Sequence, residues 1–218
     1  MLVLAAVIVL LYLGSRHLAA AWHYERAALV LDHLELGHEP GPERLRDALS
    51  DLRLALDWQP SRRYHFAMAR LLVAKARAAE PERGRPVLLE AIAQQRAGLA
   101  LAPVAPLGWT RLGRYLMDAD LPGEALDAVR QSTVQAPFAP EQMWWRLELW
   151  LLLNAHFKEG DYALFKGQLA YTFNDNPDRL AALADHYRLR PYVRMALLES
   201  AGVDVEHAQR TMNDGAAR

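Results

Sequence analysis

The sequence predicts an all-α protein in which an N-terminal transmembrane helix precedes an α-solenoid of antiparallel helical hairpins. Three observations predict this fold. The chain carries twelve consecutive apolar residues near its N-terminus, helix-forming residues (alanine, leucine, arginine, glutamate) dominate the remainder, and proline or glycine interrupts them at short intervals. With 218 residues, 52% of them hydrophobic, the chain can bury a sizeable core.

The charge balance and the absence of cysteine exclude several classes of function. The 25 basic and 26 acidic residues leave a net charge of -1, whereas sequence-independent nucleic-acid binding requires an excess of positive charge. We therefore expect no nucleic-acid partner. The chain has no cysteine, which excludes disulfides, thiolate metal sites and a cysteine nucleophile.

The apolar run from Leu2 to Leu13 is the candidate membrane segment. Twelve helical residues cover about 18 Å, less than a hydrocarbon core of roughly 30 Å. A helix that continues to Trp22 would be long enough to span, with Tyr12 and Trp22 as interfacial aromatic residues. We favour this retained single-pass anchor, in contact with membrane lipid. A cleaved signal peptide, for which Ala19–Ala21 offers a cleavage site but no basic residue precedes the run, and a buried helix are the alternatives.

The side of the membrane is predicted less directly. Arg16 and Arg26 come after the apolar run, so the positive-inside rule alone places the rest of the chain in the cytoplasm. N-terminal apolar segments, however, usually export the domain on their C-terminal side. We favour a bacterial inner-membrane protein with a periplasmic soluble part, and the cytoplasmic alternative stays open.

A repeat is visible in the body of the chain. Ala-Pro-Val-Ala-Pro at 102–106 recurs as Ala-Pro-Phe-Ala-Pro at 136–140, an offset of 34 residues. In a unit counted from Pro106, four positions match the tetratricopeptide pattern W-x₂-L-G followed by a small residue: Trp109, Leu112, Gly113 and Ala125. This stretch therefore resembles a tetratricopeptide repeat, and the resemblance implies stacked helical hairpins.

Small residues seven apart extend the pattern to other second helices. The pairs are Ala48 and Ala55, Ala91 and Gly98, and Ala125 and Ser132. Residues at this spacing share a helix face, where small side chains allow close helix packing. We predict an anchor over 1–22, a repeat domain over 23–202 and a polar C-terminal tail over 203–218. The extra residues of the long middle unit are predicted as an extended turn over 79–86.

A second, looser resemblance concerns the whole arrangement. An apolar N-terminal helix, degenerate helical repeats, an Ala-Leu-Ala-Pro-Val-Ala-Pro turn at 100–106 and an aromatic-rich helix behind it are similar to the VpsP-type proteins of bacterial exopolysaccharide clusters. This resemblance implies a scaffold for exopolysaccharide assembly or export, without an active site.

Motifs that carry enzymatic chemistry are missing from the sequence. It contains no G-x-G-x-x-G, phosphate-binding loop, G-x-S-x-G or H-E-x-x-H motif. His33 and His38 are five residues apart with Gly37 between them, whereas helical zinc ligation requires histidines four apart. The run 174–178 (NDNPD) reads as a turn and N-cap. We predict no catalytic residue, metal or cofactor. An enzyme or lipid carrier with an internal apolar cavity is the alternative from another class.

The segment Met143–Leu153 (MWWRLELWLLL) is apolar nearly all round. Such a helix must be covered on more than one side, so a central core helix is one interpretation. The other is that part of its surface, Trp144 in particular, binds a partner.

The tetratricopeptide resemblance also implies which residues face a partner. Eight positions on first helices would line the groove: Tyr64, Leu71, Lys75, Thr110, Arg114, Met117, Trp144 and Glu148. In such proteins these positions hold a peptide or helix, and Arg114 would bind its carboxylate. Packing of these residues on the adjacent cap or on the anchor helix is the alternative. The sequence thus predicts a non-catalytic scaffold or accessory subunit whose partners are other membrane or envelope proteins.

Overall fold

A computed structural model describes residues 2–200 and 203–214, with side chains for 3–200 and 203–212. Over these ranges the chain forms eleven α-helices and no β-strand, which confirms the all-helical prediction. The helices fall into two compact units, Met1–Pro103 and Val104–Arg218. The boundary between the units lies inside the stretch 23–202 that the sequence predicts as one repeat domain.

Unit 1 contains four helices: α1 (Leu2–Glu35), α2 (Pro42–Trp58), α3 (Arg62–Arg77) and α4 (Pro81–Leu101). Each helix packs against the next, and α1 also contacts α3. Neighbouring helices run antiparallel because the connections between them are short: Arg16 of α1 meets the end of α2, and His65 of α3 bonds Gln94 of α4. The turn between α2 and α3 therefore lies beside the middle of α1.

Helix α1 has two differently exposed parts. Ala20, Tyr24, Ala27 and Leu31, spaced four, three and four residues apart, form a buried stripe against the other helices of the unit. The apolar side chains from Val3 to Leu13 are exposed. By length and composition Val3–Glu35 can cross a membrane. No break separates the predicted anchor 1–22 from the second half of α1, because the helix continues through Trp22 without proline.

Charged contacts join α1 to α2. The Nε and Nη2 atoms of Arg16 donate to the backbone oxygen of Trp58 at 2.9 and 2.6 Å, where the helix dipole favours a cation. About two turns further along α1, His23 Nδ1 lies 2.9 Å from Asp51 of α2, and Arg26 lies 3.3 Å from the same carboxylate. The second half of α1 is thus an integral helix of unit 1.

Helix α4 begins earlier than predicted. The segment 79–86, expected to be an extended turn, contains the first residues of α4, with Pro81 in the first turn and Pro86 inside the helix. A proline in the first turn costs no hydrogen bond, because the N–H groups there have no partner within the helix. The additional residues of this hairpin therefore lengthen its second helix.

In its described residues, unit 2 contains seven helices: α5 (Pro106–Asp118), α6 (Pro122–Gln135), α7 (Met143–Leu152), α8 (Asp161–Asp175), α9 (Pro177–His186), α10 (Arg190–Leu198) and α11 (Val205–Asp214). A 3₁₀ turn, Asn154–His156, comes directly after α7. Each of α5 to α10 contacts the next helix, and α5 contacts α7, α6 contacts α8 and α8 contacts α10.

A buried arginine holds the turn between α6 and α7. Arg146 is fully buried, and its Nη1 donates to the backbone oxygens of Ser132 and Ala136 at 3.1 and 2.6 Å. Its Nη2 and the side chain of Gln168 both donate to the backbone oxygen of Pro137. The guanidinium thereby ties together backbone carbonyls of the last turn of α6 and of the residues that follow it; the Ser132 oxygen also accepts from the backbone N of Ala136 at 3.2 Å.

Part of the predicted polar tail, Val205–Asp214, forms a helix that packs against its unit. Within the predicted tail 203–218, α11 buries Ala208 and Met212 and contacts α9 and α10. Arg190 Nη1 donates to the backbone oxygens of Thr211 and Met212 at 3.3 and 3.0 Å. Residues 201–202 and 215–218 lie outside the part of the chain that the structure describes.

Candidate functional site

Helices α5, α7 and α9, together with the residue that follows α9, contribute polar and aromatic side chains to one surface of unit 2. We call this surface the α5/α7/α9 face. It consists of Arg114, Trp144, Glu148, Arg179 and Tyr187. Trp144 and Glu148 lie four residues apart on α7, so they share one side of that helix. Each of them contacts a side chain at one end or the other of α9.

Local sequence determines how α9 presents its residues. The side chain of Asn176 accepts a hydrogen bond from the backbone N of Arg179 at 2.9 Å, which confirms the predicted N-cap in the segment 174–178. Pro177 occupies the first turn. Arg179 and Tyr187 are eight residues apart, slightly more than two helical turns, and so lie on the same side of the chain.

Glu148 is the centre of a polar cluster. The hydroxyl of Tyr187 donates to Glu148 Oε1 at 2.5 Å, and Arg114 Nη1 lies 3.7 Å from the same oxygen. Arg114 Nε also donates to Asp118 Oδ1 at 3.1 Å. Arg114 therefore has two carboxylate neighbours within the chain, whereas the tetratricopeptide resemblance implies a carboxylate of the partner as its ligand.

Burial raises the pKa of Tyr187 to about 12, and the hydrogen bond to Glu148 acts in the same direction. A general acid or base works best with a pKa near the working pH. The hydroxyl of Tyr187 keeps its proton at neutral pH, so it acts here as a fixed donor that orients the Glu148 carboxylate.

Trp144 forms the aromatic part of the face. The Arg179 guanidinium lies over its ring, 4.3 Å from the ring centroid, in a cation–π arrangement. Trp144 is half-buried and Arg179 is exposed. Among the residues that the structure describes, no carboxylate forms an ion pair with Arg179. A planar cation on an aromatic platform is suited to binding a carboxylate.

Helix α7 is both a core helix and a source of exposed aromatic surface. Leu147, Trp150 and Leu151 are fully buried, and Trp150 Nε1 donates to Thr133 Oγ1 at 3.1 Å. On the next side of the helix, Trp145 is 54% exposed. The two interpretations of this segment therefore apply to different sides of one helix.

Two predicted groove residues are almost completely inaccessible in the cores of their units. Leu71 of α3 is fully buried. Thr110 is 1% exposed, and its Oγ1 lies 2.7 Å from Ser132 Oγ and donates to Gln142 Oε1 at 2.9 Å. Both side chains pack within the protein, since neither reaches a surface that a partner could touch.

The other predicted groove residues have different environments. In unit 1, Tyr64 is buried against Tyr24, with ring centroids 5.2 Å apart, and Lys75 is exposed. In unit 2, Met117 is half-buried on α5, one turn beyond Arg114. The structure thus brings together Arg114, Trp144 and Glu148, with Met117 on the same helix as Arg114.

The predicted anchor residues lie on the first part of α1. Tyr12 is 58%, Leu13 47% and Trp22 67% exposed. Leu2 begins the helix, and its side chain lies outside the described residues. Exposed aliphatic and aromatic side chains on a long apolar helix are typical of a segment covered by lipid.

Over residues 2–200 and 203–214, no group of three histidine, cysteine, aspartate or glutamate side chains comes together in a way that could hold a metal ion. The rings of His33 and His38 lie edge to face, with centroids 6.4 Å apart. His33 Nδ1 is 2.6 Å from the backbone oxygen of Leu29, four residues earlier in α1.

Arg179 and Tyr187 are members of the face that the sequence did not predict. Neither belongs to a motif, and their partners Trp144 and Glu148 are 35 and 39 residues away in sequence. Positions 34 residues after Trp144 and Glu148 are Asp178 and Ala182, so the repeat spacing does not mark Arg179 or Tyr187.

The residues that carry the tetratricopeptide resemblance meet where α5 packs on α6. Leu112 and Ala125 are buried, and a Cβ on Gly113 would lie 2.8 Å from Val129 Cγ2, so the close approach of these helices depends on glycine. The resemblance stays a prediction. A scan against protein-family models finds no match to the sequence, and a search of curated proteins finds none.

Proposed function

We propose that this protein is a membrane-anchored, non-catalytic binding module that recognises a partner protein through the α5/α7/α9 face. Its role would be that of a scaffold or accessory subunit of a bacterial inner-membrane assembly. One observation carries the proposal: side chains from three alternate helices, Arg114, Trp144, Glu148, Arg179 and Tyr187, converge on one surface of unit 2 and order one another there.

The contact pattern of unit 2 supports a repeat array. In a solenoid of hairpins, first helices contact first helices and second helices contact second helices. The contacts of α5 with α7, of α6 with α8 and of α8 with α10 obey this rule, and α7 meets α9 and the residue after it through the side-chain pairs Trp144–Arg179 and Glu148–Tyr187. We therefore interpret α5/α6, α7/α8 and α9/α10 as three stacked hairpins, with the α5/α7/α9 face on the side formed by first helices.

The chemistry of the face indicates what it binds. Glu148 and Asp118 already have Arg114 as a cationic neighbour, whereas Arg179 lies on Trp144 and is exposed. We expect the partner to place an acidic side chain or a C-terminal carboxylate on Arg179 and an apolar side chain beside Trp144. Such a combination is typical of an energetically dominant contact in a protein interface.

The N-terminal part of α1 would hold this module at the membrane. Its exposed apolar side chains have no protein cover among the residues described, and the helix is long enough to span. We favour the periplasmic side for both units, as in the sequence analysis.

The proposal is tested with two tryptophans that are neighbours in sequence. The full-length tagged protein is isolated from detergent-solubilised membranes, and co-purifying proteins are quantified by mass spectrometry. We expect Trp144→Ala to reduce the main partner at least about tenfold, which corresponds to about 1.4 kcal/mol. Trp145→Ala, on the adjacent side of α7, should leave that partner at the level of the unsubstituted protein.

Arg179→Ala provides a second variant that removes an exposed side chain and leaves the core intact. It should reduce the same partner as Trp144→Ala does. If the Trp144→Ala, Arg179→Ala and Trp145→Ala proteins all retain the same partners at the same level, the α5/α7/α9 face is not the binding site.

A further inference from the structure

The end of the apolar run on α1 fixes where the membrane surface meets the protein. The exposed aliphatic residues continue to Leu13, and Arg16 is the first charged residue after them. A guanidinium in the hydrocarbon core is costly, so arginine at this position marks the headgroup level. From Leu2 to Arg16 the helix rises about 21 Å, less than a hydrocarbon core of roughly 30 Å, and a bilayer accommodates such a short segment by local thinning and by snorkelling of the flanking side chains.

Arg16 also shows how the turn between α2 and α3 is placed along α1. Its guanidinium donates two hydrogen bonds to the backbone oxygen of Trp58, the last residue of α2. The turn from Trp58 to Arg62, which connects α2 to α3, therefore lies within one side-chain length of α1 at the level of Arg16.

The side chains of this turn have the chemistry of a membrane interface. Trp58 is 42% exposed, and Leu54, four residues earlier on the same side of α2, is equally exposed at 42%. Arg62 is exposed and forms no ion pair with any described residue. Tryptophan is enriched at the headgroup level, and arginine binds lipid phosphates.

We infer that the turn Trp58–Arg62 lies in the headgroup layer of the bilayer that α1 enters, with the Trp58 indole at the hydrocarbon boundary and Arg62 on a phospholipid phosphate. This inference rests on the proposed membrane anchoring. Unit 1 would then contact the bilayer at two places, through α1 and through the turn Trp58–Arg62. The turn between α3 and α4, near Glu80, is at the far end of α3, about 24 Å from the lipid.

The absence of cysteine allows a direct measurement, because each introduced cysteine is unique. Single nitroxide labels are placed on the full-length protein at Ile8→Cys, Pro60→Cys and Glu82→Cys. All three positions are exposed. The protein is reconstituted in vesicles of phosphatidylcholine and phosphatidylglycerol, and the collision rates of each label with oxygen and with a water-soluble nickel complex are measured. Oxygen concentrates in the bilayer and the nickel complex in water.

We expect the ratio of oxygen to nickel collisions to be highest at position 8, and at position 60 to be several-fold higher than at position 82. A label at position 60 that is as accessible to nickel as the label at position 82, with position 8 in lipid, would overturn the inference and leave the anchor in place. A water-accessible label at position 8 would overturn both. Arg62→Cys repeats the measurement without altering the proline.

Discussion

In unit 2, one side chain orders the α5/α7/α9 face and another orders the turn between α6 and α7. Tyr187 fixes the carboxylate of Glu148 on the α5/α7/α9 face, and Arg146 fixes the carbonyls at the end of α6 inside the unit. Burial acts on both, raising the pKa of Tyr187 and lowering the pKa of Arg146. Tyr187 is uncharged at neutral pH, whereas Arg146 retains its charge in the core.

The hydrogen bond of Tyr187 predicts a specific alkaline instability. The pKa of this hydroxyl is 10.0 in its ordinary state and about 12 in the folded protein. Between pH 10 and pH 12 the unfolded chain therefore loses this proton while the folded chain keeps it, and the free energy of unfolding falls as pH rises. Below pH 10 the contribution is complete.

Tyr187→Phe removes this titration. Urea unfolding of the full-length protein in detergent should show a smaller loss of stability from pH 9 to pH 11.5 for the variant than for the unsubstituted protein. At pH 8 the variant should be less stable by about 1 kcal/mol, because one hydrogen bond is missing. Parallel pH profiles for the two proteins would contradict the assigned environment of Tyr187.

Replacing Arg146 tests whether the buried guanidinium contributes to the stability of the folded protein. Arg146→Met leaves the backbone oxygens of Ser132, Ala136 and Pro137 without their guanidinium donor, although it removes the cost of burying a charge. We expect a net loss of about 2–4 kcal/mol in the free energy of unfolding, measured by urea titration. Arg146→Lys, which keeps the charge with fewer donors, should lose less. Equal stability of Arg146→Met and the unsubstituted protein would show that the turn does not depend on this contact.

At the scale of elements, glycine allows neighbouring helices to approach closely. A Cβ on Gly84 of α4 would lie 2.6 Å from the backbone oxygen of Ala76 in α3. A Cβ on Gly167 of α8 would meet nothing within 4 Å. Both glycines lie inside helices, so alanine improves helix propensity at either position. Only at position 84 does the added Cβ also meet a neighbouring helix, so comparing the two substitutions separates the effect of propensity from the effect of packing.

Gly84→Ala and Gly167→Ala should therefore change stability in opposite directions. Alanine at position 84 forces a backbone carbonyl to move, and we expect a loss of about 1–3 kcal/mol despite the better helix former. Alanine at position 167 should increase stability by about 0.5–1 kcal/mol. Thermal unfolding followed by circular dichroism gives both values. A stabilised Gly84→Ala protein would mean that α3 and α4 do not pack as closely as described.

Local signals explain which elements the sequence could predict. Helix content can be predicted from composition, and Asn176 before Pro177 predicts the start of α9. The start of α4 was misplaced because Pro81 and Pro86 are compatible with a helix in its first turns as well as with a loop. The burial of Ala208 and Met212 in α11 depends on contacts with α9 and α10. The polar sequence of this segment does not predict those contacts.

The candidate site was predicted only in part, for a similar reason. Repeat spacing placed Arg114, Trp144 and Glu148 on one side of alternate helices. Spacing does not determine burial, so Leu71 and Thr110 were assigned to a groove although both are core residues. Arg179 and Tyr187 enter the site through contacts between α7 and α9, and no local pattern marks them.

At the scale of the whole molecule, the two units have different roles in the proposed function. Unit 1 contains the apolar helix and the turn that we place at the membrane surface, and unit 2 contains the α5/α7/α9 face. The protein would in this way present a binding surface at a membrane without chemistry of its own.

The most direct test of this proposal is photo-crosslinking in intact cells with benzoylphenylalanine in place of single residues. Met117 is half-buried on α5, close to Arg114, and Val134 on α6 is 61% exposed. We predict a discrete, light-dependent covalent adduct with one membrane or envelope protein from position 117, and none from position 134. Absence of an adduct from position 117, or the same adducts from both positions, would contradict the claim that the α5/α7/α9 face binds a partner.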